Sequence, residues 1–181
     1  MNTEQQLLKR INDGDAKAQE ELYRRYAGTA MAVAMRLVAD SDAAADVLQE
    51  AFVKVFLRIG SFSWRGEGTL KAWVMRIVSN EAVDFMRQRQ QLAYTELPDD
   101  ELPDDEDPDV EGIPIDVLQS MIEQLPPGYR MVFTLYVLQQ LSHKEIAAMM
   151  GIRESSSSSQ LIRAKKMLAR AINKYKKEHE I

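Results

Sequence analysis

The chain has 181 residues, no cysteine and a formal net charge of −5. The absence of cysteine excludes disulfide frameworks and thiolate metal sites, and it fits a reducing compartment. No apolar run approaches the roughly 20 residues that span a bilayer, and the first residues do not resemble a signal peptide. We therefore expect a cytoplasmic protein that does not insert into membranes.

The first ninety residues have the apolar spacing of amphipathic helices. A spacing of three or four is clearest at Leu22, Tyr26, Ala30, Val33 and Leu37. The pattern predicts helices over residues 3–12, 15–39 and 41–59, a loop over 61–69, and a fourth helix from 69 to about 90.

Residues 91–113 differ from the rest of the chain in charge. They hold ten of the 28 acidic residues and no lysine or arginine, which leaves 18 acidic residues against 23 basic ones elsewhere. Proline recurs within the segment, and proline and like charges both oppose helix formation. We expect an extended, mobile linker between two domains, residues 1–90 and residues 114–181.

Helical spacing resumes after this linker. It predicts helices near 114–124, 128–138, 142–150 and 156–177. Strand-like alternation is absent from the sequence. The expected fold class is therefore all-α, with two small helical bundles joined by the acidic linker.

Residues 142–172 indicate a helix-turn-helix unit. Ser142 and Glu145 have the spacing of a capping box, which begins a helix. Gly151 favours the left-handed conformation that ends one, and a second helix is expected from Ser155 or Ser156. In this motif the second helix enters the major groove of DNA. A helical hairpin buried in a core is the alternative interpretation.

The second helix of this unit is strongly basic. Between Gln160 and Lys177 there are seven lysine or arginine residues and no acidic residue, above an apolar stripe. Such side chains bind phosphate and give salt-dependent affinity without reading sequence. The serine run at 155–159, with Gln160, allows close approach to base edges. A flexible serine linker is the alternative, but the helical spacing that follows directly disfavours it.

A second candidate surface covers residues 62–89. A loop with Trp64, Arg65 and Gly66 precedes an amphipathic helix that contains Trp73. Aromatic side chains can hold unstacked bases. Trp73, inside the helix, is better explained as a core residue, whereas either role suits Trp64.

Catalytic signals are weak. The two histidines, His143 and His179, have no partnered nucleophile, and His143 is expected to be solvated. No phosphate-binding loop of the Walker type is present. We therefore predict no catalytic residue, no metal site and no cofactor, and we do not expect an enzyme.

In this order, the motifs resemble those of RNA polymerase sigma factors of the short extracytoplasmic-function (ECF) type, over almost the whole chain. Residues 46–56 resemble the region 2.2 helix, residues 62–84 resemble regions 2.3 and 2.4, and residues 125–172 resemble region 4. The resemblance implies a sigma factor that binds core RNA polymerase, recognises the −10 and −35 promoter elements and helps to melt the −10 DNA. A stand-alone helix-turn-helix transcriptional regulator is the alternative.

The resemblance also implies three sets of contact residues. Those for the −10 element are Trp64, Arg65, Gly66, Arg76, Asn80, Asp84, Arg87 and Arg89. Those for the −35 element are Ser156, Ser158, Ser159, Gln160, Ile162, Arg163 and Lys166. Those for core polymerase are Asp46, Gln49, Glu50, Phe52, Val53 and Phe56.

The implied partners are promoter DNA, the β′ clamp helices and the β flap of core polymerase, and an anti-sigma factor, which in this family can be membrane-anchored. The linker resembles the segment that threads near the RNA exit channel. One departure concerns the recognition helix, where serines occupy 155–157 in place of the small-Thr-Val run of many members. Ser156 can still serve as an N-cap there. Fewer charges at this point predict fewer phosphate contacts and a different −35 preference.

Overall fold

The computed structural model describes residues 3–89 and 108–179, and within them it contains helices and turns but no strand. The chain divides into two compact units, Met1–Phe85 (the N-terminal unit) and Met86–Ile181 (the C-terminal unit). The division falls inside a helix, a few residues before the boundary expected at residue 90. Among the described helices none is long and apolar enough to cross a membrane.

The described part of the N-terminal half contains α1 (Glu4–Asn12), α2 (Ala16–Val38), α3 (Ser41–Arg58), a 3-10 turn (Ile59–Ser61) and α4 (Thr69–Gln88). Side chains close in sequence cap the N-termini of the first three helices. Thr3 forms a capping box with Gln6, and Asp15 and Asp40 accept backbone N–H groups. These caps satisfy donors that the first helical turn leaves without partners. All four predicted helices are confirmed to within two residues at each end.

α2 supplies the centre of the N-terminal core and packs against α1 and α3. Its five residues with the predicted spacing are all buried, and Leu22, Ala30 and Leu37 are 0 % exposed. The other helices add aliphatic side chains of 0–1 % exposure, namely Val47, Val55, Leu70, Val74 and Val78. Burying one such side chain contributes about 1.5–3 kcal/mol, so this apolar stripe holds the bundle together.

The described part of the C-terminal unit contains α5 (Ile115–Glu123), α6 (Pro127–Phe133), a π-helical turn (Thr134–Leu138), α7 (His143–Met150) and α8 (Glu154–His179). α8 packs against α5, α6 and α7. Leu125, Tyr129, Ala164 and Leu168 form its apolar cluster. The helix predicted over 128–138 is thus an α-helix that widens into one π turn.

A buried arginine closes the end of α5. Arg130 is 5 % exposed, and its guanidinium donates to the carbonyl oxygens of Glu123 at 2.9 Å and Leu125 at 3.0 Å. Burial lowers the pKa of Arg130 from its usual value. Because the last carbonyls of a helix have no partners within it, this side chain ties α6 to the end of α5.

Residues 90–107 lie outside the described residues, and the extended linker expected there remains a prediction. The last residues of that segment, 108–113, lie in the C-terminal unit. Ile113 is buried, and the Asp109 carboxylate accepts a hydrogen bond from Lys176 Nζ at 2.6 Å. That bond holds the pKa of Asp109 below its usual value. The described end of the acidic segment therefore packs on α8.

Candidate functional site

The loop between the 3-10 turn and α4, residues 62–68, ends in a tight turn that is held by hydrogen bonds. Gly66 and Gly68 have φ angles of +132° and +88°, which side-chain-bearing residues rarely adopt. The Thr69 hydroxyl donates to the Gly66 carbonyl at 2.6 Å, and the Thr69 N–H donates to the same oxygen at 3.2 Å. Arg65 is exposed on this turn.

Both tryptophans that the sequence indicated are half-buried. Trp73 packs on Phe62, with ring centroids 5.0 Å apart. Trp64 borders a cavity of about 490 Å³ beside α1. The buried indole N–H of Trp64 has no hydrogen-bond partner among the described residues. Trp73 thus has a packing partner, and Trp64 retains an unused donor.

One face of α4 carries three of the predicted −10 residues. Arg76, Asn80 and Asp84 recur every four positions and so share this face. Asn80 is exposed and the other two are half-buried. Arg87 and Arg89 are exposed. Arg87 lies in the last turn of α4, three residues after Asp84, and Arg89 directly follows the helix.

The outer face of α3 carries most of the predicted polymerase residues. Asp46, Gln49 and Glu50 are exposed, Val53 is 54 % exposed, and Phe56 is half-buried. Their spacing follows one helical face. The inner face, with Val47, Ala51 and Val55, packs in the core.

Phe52 has to be corrected, and Leu57 was missed. Phe52 is only 3 % exposed, because its ring packs edge-on against Tyr23 of α2 at 4.7 Å. Leu57 is 79 % exposed. It lies four residues after Val53, so the helical spacing already contained the signal that would have found it.

The helix-turn-helix is present, with the predicted caps confirmed. The Ser142 hydroxyl accepts the Glu145 N–H at 3.3 Å, and the Glu145 carboxylate accepts the Ser142 N–H at 2.9 Å. Gly151 ends α7 with φ +68°, and its N–H binds the Ala147 carbonyl. Ile146, Ala147 and Met150 form the buried apolar face of α7.

The expectation that His143 is solvated is wrong. Its Nδ1 lies 2.9 Å from the hydroxyl of Ser157, which is 0 % exposed. The imidazole also stacks on Tyr136, with centroids 4.5 Å apart. The histidine therefore connects the start of α7 to the first turns of α8, a contact that only the tertiary arrangement creates.

The start of α8 differs from the prediction in two ways. The helix begins at Glu154, and the Ser157 N–H donates to the Arg153 carbonyl at 3.1 Å. Ser156 is therefore inside the helix and is not its N-cap. Gln160 is 5 % exposed because it faces α6, where its amide oxygen lies against Gly128, so it is not available to a base edge.

The other predicted −35 residues reach the surface of α8. Ser159 and Ile162 are exposed, while Ser156, Ser158, Arg163 and Lys166 are half-buried. The apolar stripe of the helix is buried at Leu161, Ala164, Leu168 and Ile172. A basic second helix presented on a helix-turn-helix defines a helical DNA-binding protein.

Two family matches cover most of the described chain. Residues 22–91 match Sigma-70 region 2, and residues 115–168 match Sigma-70, region 4. The ECF RNA polymerase sigma-E factor of Escherichia coli (strain K12) is 30 % identical over 92 % of this chain and 92 % of its own length. The ECF RNA polymerase sigma factor SigM of Bacillus subtilis is 27 % identical over 86 % and 95 %.

Solved structures agree in fold. The sigma factor RpoE of Bartonella quintana, in complex with the anti-sigma factor NepR, has a TM-score of 0.55 at 21 % identity, over 85 % of this chain and 96 % of that one. CnrH, in complex with the cytosolic domain of CnrY, has a TM-score of 0.51 at 24 % identity, over 92 % and 95 %.

The chain therefore belongs to the ECF subfamily of the sigma-70 family of RNA polymerase sigma factors. It supports promoter-specific initiation of transcription by RNA polymerase. Regions 2 and 4 occur together in one chain, which does not favour a stand-alone helix-turn-helix regulator.

Proposed function

We propose that three separate surfaces of the chain make the contacts needed for initiation of transcription. The outer face of α3 binds the β′ clamp helices of core polymerase, the loop 62–68 with α4 binds the −10 element, and the exposed side of α8 binds the −35 element. The proposal keeps the domain assignment of residues 1–90 and 114–181 with a linker at 91–113. It omits the buried Phe52 and Gln160, and it adds Leu57.

The observation that carries the proposal is the outer face of α3. Val53 and Leu57 are 54 % and 79 % exposed, beside the carboxylates of Asp46 and Glu50. Exposed aliphatic side chains rimmed by charges are typical of a protein-binding surface. A protein that bound only DNA would have no partner for this exposed apolar face, whereas a subunit recruited to polymerase needs such a contact surface.

The chemistry of the −10 surface suits a single unpaired base. A base that leaves the stack needs a pocket and polar groups for its edge. Asn80 offers both a donor and an acceptor, and the half-buried Trp64 offers an aromatic ring on which a base can stack. Arg65 and Arg76 supply positive charge for the backbone phosphates.

The −35 surface suits duplex DNA. Ser159 and Ile162 are exposed in the first turns of α8, with Arg163 and Lys166 one turn later. Short side chains at the helix start permit close approach to base edges, and the basic residues that follow hold phosphate.

A groove in the C-terminal unit supports a contact with the β flap. A cavity of about 450 Å³ lies between α5, the π turn and α8, with a mainly apolar lining. Ile115 and Val137 at this groove are 78 % and 40 % exposed. Apolar grooves of this kind receive the apolar side of a partner helix.

The remaining parts of the proposal concern regulation and location. The protein has no chemistry of its own and acts in the cytoplasm through polymerase. The complex of RpoE with the anti-sigma factor NepR supports a corresponding partner for this chain, one that covers the DNA or polymerase surfaces until a signal releases it.

Run-off transcription with purified core polymerase tests the proposal. The templates are a set of promoters that differ in their −10 and −35 elements. Transcripts that begin at defined sites only when this chain is added support it. Tight, sequence-specific binding of free duplex by the chain alone, without polymerase-dependent transcripts, would contradict it.

A further inference from the structure

Glu4, the first residue of α1, carries a buried carboxylate. The residue is 4 % exposed. One carboxylate oxygen accepts hydrogen bonds from the Tyr26 hydroxyl at 2.8 Å and the Lys71 N–H at 3.1 Å. The other accepts from the Gly68 N–H at 2.8 Å and the Leu70 N–H at 3.1 Å. Four donors therefore converge on one acidic group.

These bonds make Glu4 a helix cap that acts from a distance. The first N–H groups of a helix have no partners within it, and a cap usually comes from the residue just before the helix. The residue before α4 is Gly68, which has no side chain. Glu4 replaces the missing cap by binding the N–H groups of Leu70 and Lys71, and its charge suits the positive end of the helix dipole.

The charge state of Glu4 agrees with this role. Burial by itself raises the pKa of Glu4, but the hydrogen bonds from Tyr26 and from the backbone of Leu70, Lys71 and Gly68 outweigh it and leave the pKa below its usual value. The carboxylate is therefore ionised at neutral pH. In that form its two oxygens accept hydrogen bonds from all four donors.

The same carboxylate also holds the loop that precedes α4. Its bond to the Gly68 N–H restrains the last loop residue, which has φ +88°. In the reverse direction, the Glu67 carboxylate accepts the Glu4 N–H at 3.2 Å and 3.3 Å to its two oxygens. The start of α1 and the loop 62–68 thus bind each other in both directions, since each donates a backbone N–H to a carboxylate of the other. The two segments lie far apart in the sequence.

We propose that Glu4 is a positioning residue for −10 recognition, which holds the loop 62–68 in the conformation that meets the promoter base. The inference rests on the proposed role of this loop. Glu4 does not itself contact DNA. Its effect passes through Gly68 and the first turn of α4 to Trp64, Arg65 and Gly66.

The test compares Glu4→Gln with Tyr26→Phe. Glutamine keeps the size of the side chain but has one acceptor oxygen, so in either orientation of the amide at least one of the N–H groups of Gly68, Leu70 and Lys71 loses its acceptor, and the remaining bonds lose the carboxylate charge. Phenylalanine at 26 removes one donor to the same carboxylate and leaves the bonds to the loop and α4 intact. Both variants disturb the core network, but only the first weakens the bonds to the loop and the first turn of α4.

The readout is run-off transcription with core polymerase on four promoters that differ only in the base proposed to enter the loop. We expect Glu4→Gln to reduce the ratio between the preferred and the other bases about tenfold, equivalent to the loss of one good contact. Tyr26→Phe should keep the wild-type ratio. Both should bind core polymerase as wild type, and amide exchange at Gly68, Leu70 and Lys71 should accelerate only in Glu4→Gln.

Two results would overturn the inference, and they distinguish a failure of the role of Glu4 from a failure of the proposed role of the loop. An unchanged base ratio in Glu4→Gln, while Trp64→Ala lowers it, shows that Glu4 only stabilises the fold. An unchanged ratio in both Trp64→Ala and Arg65→Ala shows that the loop does not read the base, and the proposed function of the loop then fails with the inference. If Glu4→Gln does not fold, Glu4→Asp, which keeps the charge but is too short to bridge all four donors, takes its place with the same expected direction.

Discussion

At the scale of single residues, Asn80 is the side chain best suited to discriminate a base. It is exposed on α4, and its amide offers a donor and an acceptor. We predict that Asn80→Ala reduces −10 discrimination or promoter opening by about 1–3 kcal/mol, or roughly ten- to a hundredfold. Transcription on promoters with altered −10 bases measures this. Gln88→Ala, an exposed amide in the last turn of α4, is the control, and a loss of core-polymerase binding in Asn80→Ala would refute the role.

Glu4 also predicts how stability depends on pH. Its pKa is lowered in the folded chain from the ordinary 4.5, so its stabilising contribution is present above about pH 4.5 and is lost as the pH falls through the folded pKa. The pKa of Tyr26, which burial and the bond to Glu4 raise to about 12, keeps that hydroxyl a donor throughout.

We therefore expect the difference in melting temperature between wild type and Glu4→Gln to be largest near neutral pH and to shrink as the pH falls from about 4.5 through the lowered pKa of Glu4, where the carboxyl becomes neutral as glutamine is. Thermal unfolding followed by circular dichroism between about pH 3 and pH 7 measures the difference. A gap that stays constant over this range would show that the charge of Glu4 does not stabilise the fold.

At the scale of elements, the turn of the helix-turn-helix depends on the backbone of one glycine. Gly151 has φ +68°, and a Cβ added there would meet no other atom within 4 Å. Gly151→Ala should destabilise the turn by about 1–2 kcal/mol, the cost of the left-handed conformation for a residue with a Cβ. Amide exchange across α7 and α8 measures this. Gly151→Asn should cost less because asparagine tolerates that conformation, and equal effects of both variants would point to a steric cause instead.

The outer face of α3 gives a second prediction for an element. The double variant Val53→Ser and Leu57→Ser should weaken core-polymerase binding by about tenfold or more, because truncating a central interface side chain commonly costs over 1 kcal/mol. The fold should be unaffected, since both residues are exposed. Equilibrium binding to core polymerase measures the change.

Ala16→Ser with Gln19→Ser, on exposed positions of α2, is the matched control for this surface. It should bind core polymerase as the wild type does. Equal affinity of the α3 variant and wild type would place the polymerase contact elsewhere on the molecule.

At the scale of the whole molecule, the sign of the net charge is a poor guide to function. Residues 91–113 hold ten of the 28 acidic residues, whereas α8 holds seven basic residues between Gln160 and Lys177, on a chain whose net charge is −5. Outside residues 91–113 the chain has 23 basic residues against 18 acidic ones, which is a modest excess. We therefore expect weak duplex binding by the chain alone and specific binding when polymerase holds both units on one promoter.

The salt dependence of promoter binding by the complex with polymerase tests the −35 surface in that setting. Arg163→Ala should weaken binding and reduce the slope of log affinity against log salt by about one if the side chain contacts a phosphate. Lys17→Ala removes an equal charge from an exposed position on α2 and should leave the slope unchanged. An unchanged slope in Arg163→Ala would exclude that contact.

The sequence by itself determined the helices, the two caps of α7 and the helix-turn-helix, because these depend on neighbours within a few positions. The capping box at Ser142 and Glu145 and the turn at Gly151 are local features, and both were predicted correctly. The apolar stripes of α2 and α8 follow for the same reason, since helical spacing alone decides which residues share a face.

Only the tertiary structure decided which member of a shared face meets solvent and which meets another helix. Phe52 and Gln160 are on predicted contact faces, yet Tyr23 buries one and α6 buries the other. His143 acquires Ser157 as a partner, and Glu4 caps α4, in each case through residues that are distant in the sequence. Such pairings require chain segments to meet in space, and spacing along a single helix carries no information about that meeting.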